Sequence, residues 1–216
     1  MNDSRQGKVD RSSLAFPSDV AFTPAVKEIQ SRKGSRRAYA RMEQGDGWRT
    51  EIDQNLAAFI AAQTSFYLAT ANSTGQPYIQ HRGGPAGFLR VLNERTLAFA
   101  DFSGNRQYIS FGNLAENPKV HLFLMDYAHR NRIKIWGEAT VIEGEAALNE
   151  SLHSEGYAAK IERSLIIKVV AWDANCSQHI PQRFDAADVE AAIGEREKKI
   201  ASLEAEIRSL RTSRHP

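Results

Sequence analysis

The sequence predicts a mainly β fold, a closed barrel of short antiparallel strands with flanking helices, followed by one long C-terminal helix. Three observations predict it. Short strand-like runs recur from Ser65 to Trp172 at regular separations, and Gly, Asn and Pro fill the gaps between them. That spacing suits strands joined by tight turns better than a parallel sheet. The run Ser164–Trp172 is strongly apolar and completes the barrel. From Val189 to Leu210 apolar residues alternate by four and three positions, a heptad seam. With 216 residues, of which 42% are apolar, the chain can bury one full core.

In chain order, residues 1–20 are polar and aperiodic, an arm that Phe16, Phe22 and Val26 can anchor. Pro24 to Tyr39 reads as a short helix capped by Thr23, with Pro24 at its first position. The basic cluster Arg32, Lys33, Arg36, Arg37 and Arg41 reads as a solvated face. Between Thr50 and Gln63, Ile52, Leu56, Phe59 and Ile60 fall on one helical face, which should lie on the barrel. The predicted strands are Ser65–Ala71 and Pro77–Arg82, joined by the turn Asn72-Ser73-Thr74-Gly75, then Gly87–Leu92, Thr96–Phe102, Lys119–Tyr127 and Arg132–Ile142. A helix over Arg106–Glu116 is stopped by Asn117-Pro118. The domains are therefore residues 1–48, an arm and short helix; 49–185, the barrel; and 186–216, a coiled-coil-like helix.

The stretch from Gln76 to Pro118 concentrates the chemistry. In the strand Tyr78-Ile79-Gln80-His81-Arg82 alternate side chains share a face, so Gln80 and Arg82 project together, opposite Ile79 and His81. Gly83 and Gly84 lack Cβ atoms and would let a ligand approach the backbone. Asp101-Phe102 ends the next strand and leads to Ser103-Gly104-Asn105-Arg106-Gln107. A helix beginning there, capped by Ser103 or Asn105, would offer free N–H groups to an anion. Arg106 would add a planar fork that meets two phosphate oxygens at once.

Ala69-Thr70 through Gly75-Gln76-Pro77-Tyr78, Phe99–Gln107, Asn117-Pro118-Lys119-Val120 and Arg132–Gly137 together resemble the flavin-binding core of the pyridoxamine 5′-phosphate oxidase family. The resemblance spans Phe59 to Asn175. It implies a split β-barrel that holds FMN at a homodimer interface. It also implies cofactor-binding roles for Gln80, His81, Arg82, Gly83 and Gly84, and for Asp101, Phe102, Asn105, Arg106 and Gln107. Arg132 would reach across to the second subunit, and Trp172 would close over the flavin. Two departures stand out. The family's Arg-Lys pair is Arg106-Gln107 here, with Arg82 as the candidate replacement charge. The oxidase's Tyr-x-x-x-Arg-x-x-x-Ser substrate pattern is missing from Glu145–Glu155, which argues against vitamin B6 oxidation.

A net charge of +2, with many charges of both signs, implies neither nucleic acid nor an acidic membrane surface as partner. No apolar run is long enough for a bilayer, no signal peptide is recognisable, and the cytoplasm is the expected compartment. The one cysteine, Cys176, cannot form an internal disulfide, and Cys176 with His179 lacks the further ligands a metal would need. In the loop Asp126–Arg132, Asp126 and Arg130 read as a surface pair, or as groups that reach a partner or substrate. Arg132, Lys134 and Trp136 share one strand face. Two function classes follow. The chain is an FMN-dependent oxidoreductase acting on a small molecule, with NAD(P)H a candidate donor, or it is a flavin-binding or sensing module, or a barrel that uses deazaflavin or haem.

Overall fold

The structure, a computed structural model, describes residues 14–45, 47–174 and 177–213, so Cys176 lies outside the described residues. Seven antiparallel strands form one sheet: β1 (Ser65–Ala71), β2 (Pro77–Gly83), β3 (Leu89–Asn93), β4 (Thr96–Phe102), β5 (Lys119–Asp126), β6 (Asn131–Ile142) and β7 (Ile161–Ala174). Their order is β2-β1-β5-β6-β7-β4-β3. The sheet curls into a split barrel whose two edges, β2 and β3, are consecutive in the chain. α4 (Ile109–Glu116) lies against β1 and β2, and α3 (Gln54–Ala61) against β3.

Period-two alternation decides which side chains enter the core. Phe66 and Leu68 of β1, Leu97 and Phe99 of β4, Leu122 and Leu124 of β5, Ile135 of β6 and Leu165 and Ile167 of β7 form one cluster, each at most 1% exposed. Burying each such side chain stabilises the fold by about 1.5–3 kcal/mol. β4 is buried on both faces, because Ala98 and Ala100 turn to a second cluster with Leu152 of α5 (Ala146–Leu152). Small residues are needed there so that the helix can sit close. α3 adds Leu56 and Ile60 to the main core, and its first turn is fixed by Asp53, whose Oδ1 accepts from the Leu56 N–H at 2.8 Å.

The helix expected over Pro24–Tyr39 is two helices, α1 (Pro24–Arg32) and α2 (Arg36–Gln44). Gly34 breaks it. Its φ of 81° carries a Schellman closure, in which the Ser35 N–H donates to the Gln30 carbonyl at 2.9 Å and the Gly34 N–H to the Ser31 carbonyl at 3.1 Å. Arg36 departs from the expected solvated cluster: it pairs with Glu43 and donates to Gln30 Oε1 at 2.9 Å. The anchoring role expected of Phe22 is met through an aromatic chain. Phe22 lies 5.2 Å from Trp48, Trp48 stacks on Trp136 at 4.4 Å, and Trp136 lies 4.6 Å from His121.

The chain divides into two compact units. One holds everything up to Met125 together with Arg132 to the end of β7, so the N-terminal helices belong with the barrel; the other holds Asp126–Asn131 and the chain from Ser177 onward. In the second unit Gln182 Nε2 donates to the Ala128 carbonyl at 2.8 Å, and Arg183 lies 4.9 Å from the Tyr127 ring. Asp126 pairs with His129 at 2.8 Å instead of with Arg130. α6 (Ala186–Ser213) is the long helix expected from the heptads.

Candidate functional site

Arg82 and Asp101 occupy the inward rows of β2 and β4, two strands that are not neighbours in the sheet. Tyr78, Gln80 and Arg82 share the inward row of β2, and Leu97, Phe99 and Asp101 share that of β4. The two charged ends meet at the mouth of the split barrel as an ion pair, with side chains 12% and 4% exposed. β4 pairs with β7 so that Asp101 faces Arg163, whose Nε lies 3.6 Å from the carboxylate. Arg163 is shared further, with Glu143 at 2.9 Å and Glu162 at 3.0 Å, and its guanidinium covers the Phe111 ring at 4.2 Å. Burial is the largest influence on Asp101 and pushes its carboxyl above the usual range, against the pull of Arg82 and Arg163.

Beside this ion cluster lies an open cavity of about 230 Å³. It brings together seven of the sequence-predicted residues: Gln80, Arg82 and Asp101 on its walls, and Phe102, Asn105, Arg106 and Gln107 along the loop that closes it. Arg106 is 70% exposed and reaches Glu162 at 4.0 Å. Arg82 is the opposite: its Nε and Nη2 are buried and have no hydrogen-bond partner among the described residues. A buried, unpartnered guanidinium edge is costly and is relieved by an anion or polar ligand group. Arg82, Arg106 and Arg163 face Asp101, Glu143 and Glu162, three charges against three. An incoming anion must therefore displace Glu162 from Arg106 rather than fill a surplus of positive charge.

The loop differs from the expected helix start. α4 begins at Ile109, three residues after Arg106, with Tyr108 as its N-cap and no side-chain cap bond. Arg106 and Tyr108 both hold positive φ, 58° and 54°, a conformation that non-glycine residues adopt at a cost of about 1–2 kcal/mol each. The proposed caps do other work. Asn105 Oδ1 accepts from the Gln107 N–H at 3.2 Å, and Ser103 Oγ donates to Glu162 Oε1 at 2.9 Å. These bonds hold the loop over the cavity. The Ser103 hydroxyl and Arg163 together keep the Glu162 carboxyl below its ordinary range. α4 is fixed to the barrel by Ser110, which donates to Gln80 Oε1 at 3.0 Å, and by Asn113, which donates to Thr70 Oγ1 at 2.9 Å.

Five predicted residues lie away from the cavity. His81 points outward, 5.7 Å from Tyr67. Gly83 packs on His81, whose Cε1 would stand 3.1 Å from a Cβ there. Gly84 serves the core: an added Cβ would come within 2.7 Å of Phe88 Cγ, so the space was needed by the protein's own ring and not by a ligand. Arg132 lies half-buried on β6, on the face that carries Lys134 and Trp136. Trp172 is 7% exposed and donates its indole N–H to the Glu51 carbonyl at 2.8 Å.

Sequence reasoning missed Tyr78, Tyr108 and Glu162 at the cavity and Arg163 behind it. Tyr78 shares the parity of Gln80 and Arg82, so its signal was present. Arg163 was signalled only indirectly, since a carboxylate ending the apolar row of β4 needs a cationic partner from the next strand.

Compared with known families, residues 52–179 match the one described as pyridoxamine 5′-phosphate oxidase. The chain belongs to this family. Solved structures of similar fold are distant in sequence. HupZ of Group A Streptococcus is 18% identical, with 62% of this chain and 99% of that one aligned at a TM-score of 0.47. A putative pyridoxamine 5′-phosphate oxidase from Lactobacillus delbrueckii is 17% identical, with 58% and 95% aligned at 0.45. An FMN-binding protein from Syntrophomonas wolfei is 14% identical, with 68% and 97% aligned at 0.45. No curated protein matches. Among the described residues no cluster of metal-ligating side chains occurs, and no helix is long and apolar enough to cross a membrane.

Proposed function

We propose that this member of the pyridoxamine 5′-phosphate oxidase family is an FMN-binding oxidoreductase of the cytoplasm, and that its mouth cavity takes the phosphate end of the cofactor. The observation that carries the reading is the pair of unequal arginines there. Arg82 is buried, with two nitrogens that have no hydrogen-bond partner among the described residues, and Arg106 is exposed with a long contact to Glu162. A phosphate suits both, because it supplies acceptors to the first and an opposite charge to the second. Gln80 and Asn105 add polar groups on either side. Vitamin B6 oxidation is not part of the proposal, since the oxidase's substrate pattern is missing from Glu145–Glu155.

The size of the cavity favours a site completed by a second subunit. About 230 Å³ falls short of the roughly 300–1,000 Å³ of sites that enclose whole small molecules. One chain would therefore hold the tail while the ring lies at a homodimer interface, where Arg132 and His81 belong to the proposal as ring-side groups. The flavin ring, when bound, accepts a hydride or electrons from a small-molecule substrate. The protein's part is orientation and charge: a cation placed near the ring's pyrimidine end favours the reduced anion, and no acid or base from the chain is required.

The test is to purify the protein, titrate it with FMN and record the spectrum, then reduce it anaerobically with NADH or NADPH and readmit oxygen. A flavin spectrum that bleaches and recovers supports the oxidoreductase. Stoichiometric binding without bleaching supports a sensing module. A Soret band, or preference for a deazaflavin, replaces FMN by another cofactor.

A further inference from the structure

We propose that α6 pairs with the α6 of a second copy as a parallel, in-register two-stranded coiled coil. With Ile193 at heptad position a, Ile193, Ile200 and Ile207 all fall at a, and Val189, Leu203 and Leu210 fall at d. Isoleucine at a with leucine at d is the packing preference of parallel two-stranded coils. On the helix itself Ile193, Ile200, Leu203 and Ile207 are each 43–56% exposed. An apolar stripe confined to a and d is the narrow seam of a coiled coil, not the broader face with which a helix lies on a globular core.

The flanking charges select a second copy as the occupant. In a parallel, in-register pair each g residue meets the e residue five positions later on the other strand. Lys199 at g then faces the partner's Glu204, and Glu206 at g faces the partner's Arg211. Both pairs are attractive. Arg196 interrupts the seam at d, where it lies beside the partner's Glu197 at e; one charged seam position lowers stability and specifies register. The pairing is isologous, with its two-fold axis along the coil.

The test uses the full-length chain carrying Cys176→Ser, with one new cysteine at a time and oxidation followed on non-reducing gels. Leu210→Cys places the two thiols in the same d layer, whereas Ala205→Cys places them at f, on the outside. The expected result is an interchain disulfide at least about tenfold faster for Leu210→Cys than for Ala205→Cys, because only the first meets the required Cα separation. Adding Arg196→Leu should speed it further. In an antiparallel pair with the same apolar layers, Leu210 would stand opposite Ile193 and about 25 Å from its own copy. Equal rates for the two variants would overturn the proposal. So would faster cross-linking between Ile193→Cys and Leu210→Cys chains than within Leu210→Cys. The readout needs no cofactor and stands apart from the proposed flavin chemistry.

Discussion

β4 and α6 handle apolar and charged residues in opposite ways. In β4 five consecutive residues, Leu97 to Asp101, are buried, and the carboxylate among them is met by Arg82 and Arg163 from two other strands. Along α6 the large apolar side chains are 42–58% exposed, and the charges between them face water. The strand finds its charge partners within the same compact unit, and two Arg82 nitrogens at that corner have no hydrogen-bond partner among the described residues. The helix carries its apolar stripe half exposed, the stripe for which a second copy is proposed as the partner.

The largest expected effect tests the strand side of this contrast. Asp101→Ala leaves Arg82 and Arg163 buried without their shared carboxylate, and should cost about 3–5 kcal/mol in urea unfolding of the cofactor-free protein. A cost below about 1 kcal/mol would mean that solvent already screens the corner and that it is no more enclosed than α6.

A smaller effect belongs to the aromatic chain that ties the N-terminal helices to β6. Burial, aided by Lys134, lowers the His121 imidazole to about 4 from its ordinary 6.5. Because the folded value is depressed, the unfolded chain binds the proton more readily. His121 therefore contributes its full stability above pH 6.5 and loses it as pH falls towards 4. Allowing for the ring's partial solvent contact, the loss is of the order of 2 kcal/mol. His121→Phe should flatten the stability profile between those pH values, and an unchanged slope would assign the acid sensitivity elsewhere.

The smallest effect tests the helix. Ile200→Ala should shift the barrel's unfolding by no more than about 0.5 kcal/mol, since the side chain is half exposed on a helix of the other compact unit. A loss of about 2 kcal/mol or more at concentrations where the chain is monomeric, the cost of a core truncation, would show that Ile200 is buried within a single chain.

Most strands were legible because alternation and turn residues agree. Ser65–Ala71 and Thr96–Phe102 match the predicted bounds, and β7 was underestimated because Ile161-Glu162-Arg163 before the apolar run that marked it, and Asp173-Ala174 after it, also belong to the strand. The heptad helix was equally plain. The site was half legible: Gln80, Arg82, Asp101 and Arg106 converge as the sequence suggested, whereas the helix start at Arg106 did not form. Nothing local announces that two non-glycine residues will adopt positive φ and delay a helix by three positions. Gly84 misled for a related reason, since the atom that fills its missing Cβ belongs to Phe88, and only the folded edge brings that ring back.

On the proposed function, the barrel mouth binds the phosphate of FMN through Arg82 and Arg106. Titrating FMN with the wild-type protein and with Arg106→Ala, by quenching of flavin fluorescence, tests it directly. The expected result is saturable binding to the wild type, a loss of about 1.5–3 kcal/mol, roughly 10- to 150-fold in Kd, for the variant, and unchanged unfolding of the exposed-arginine variant. Equal affinity of the two proteins, or no binding by the wild type, would contradict it.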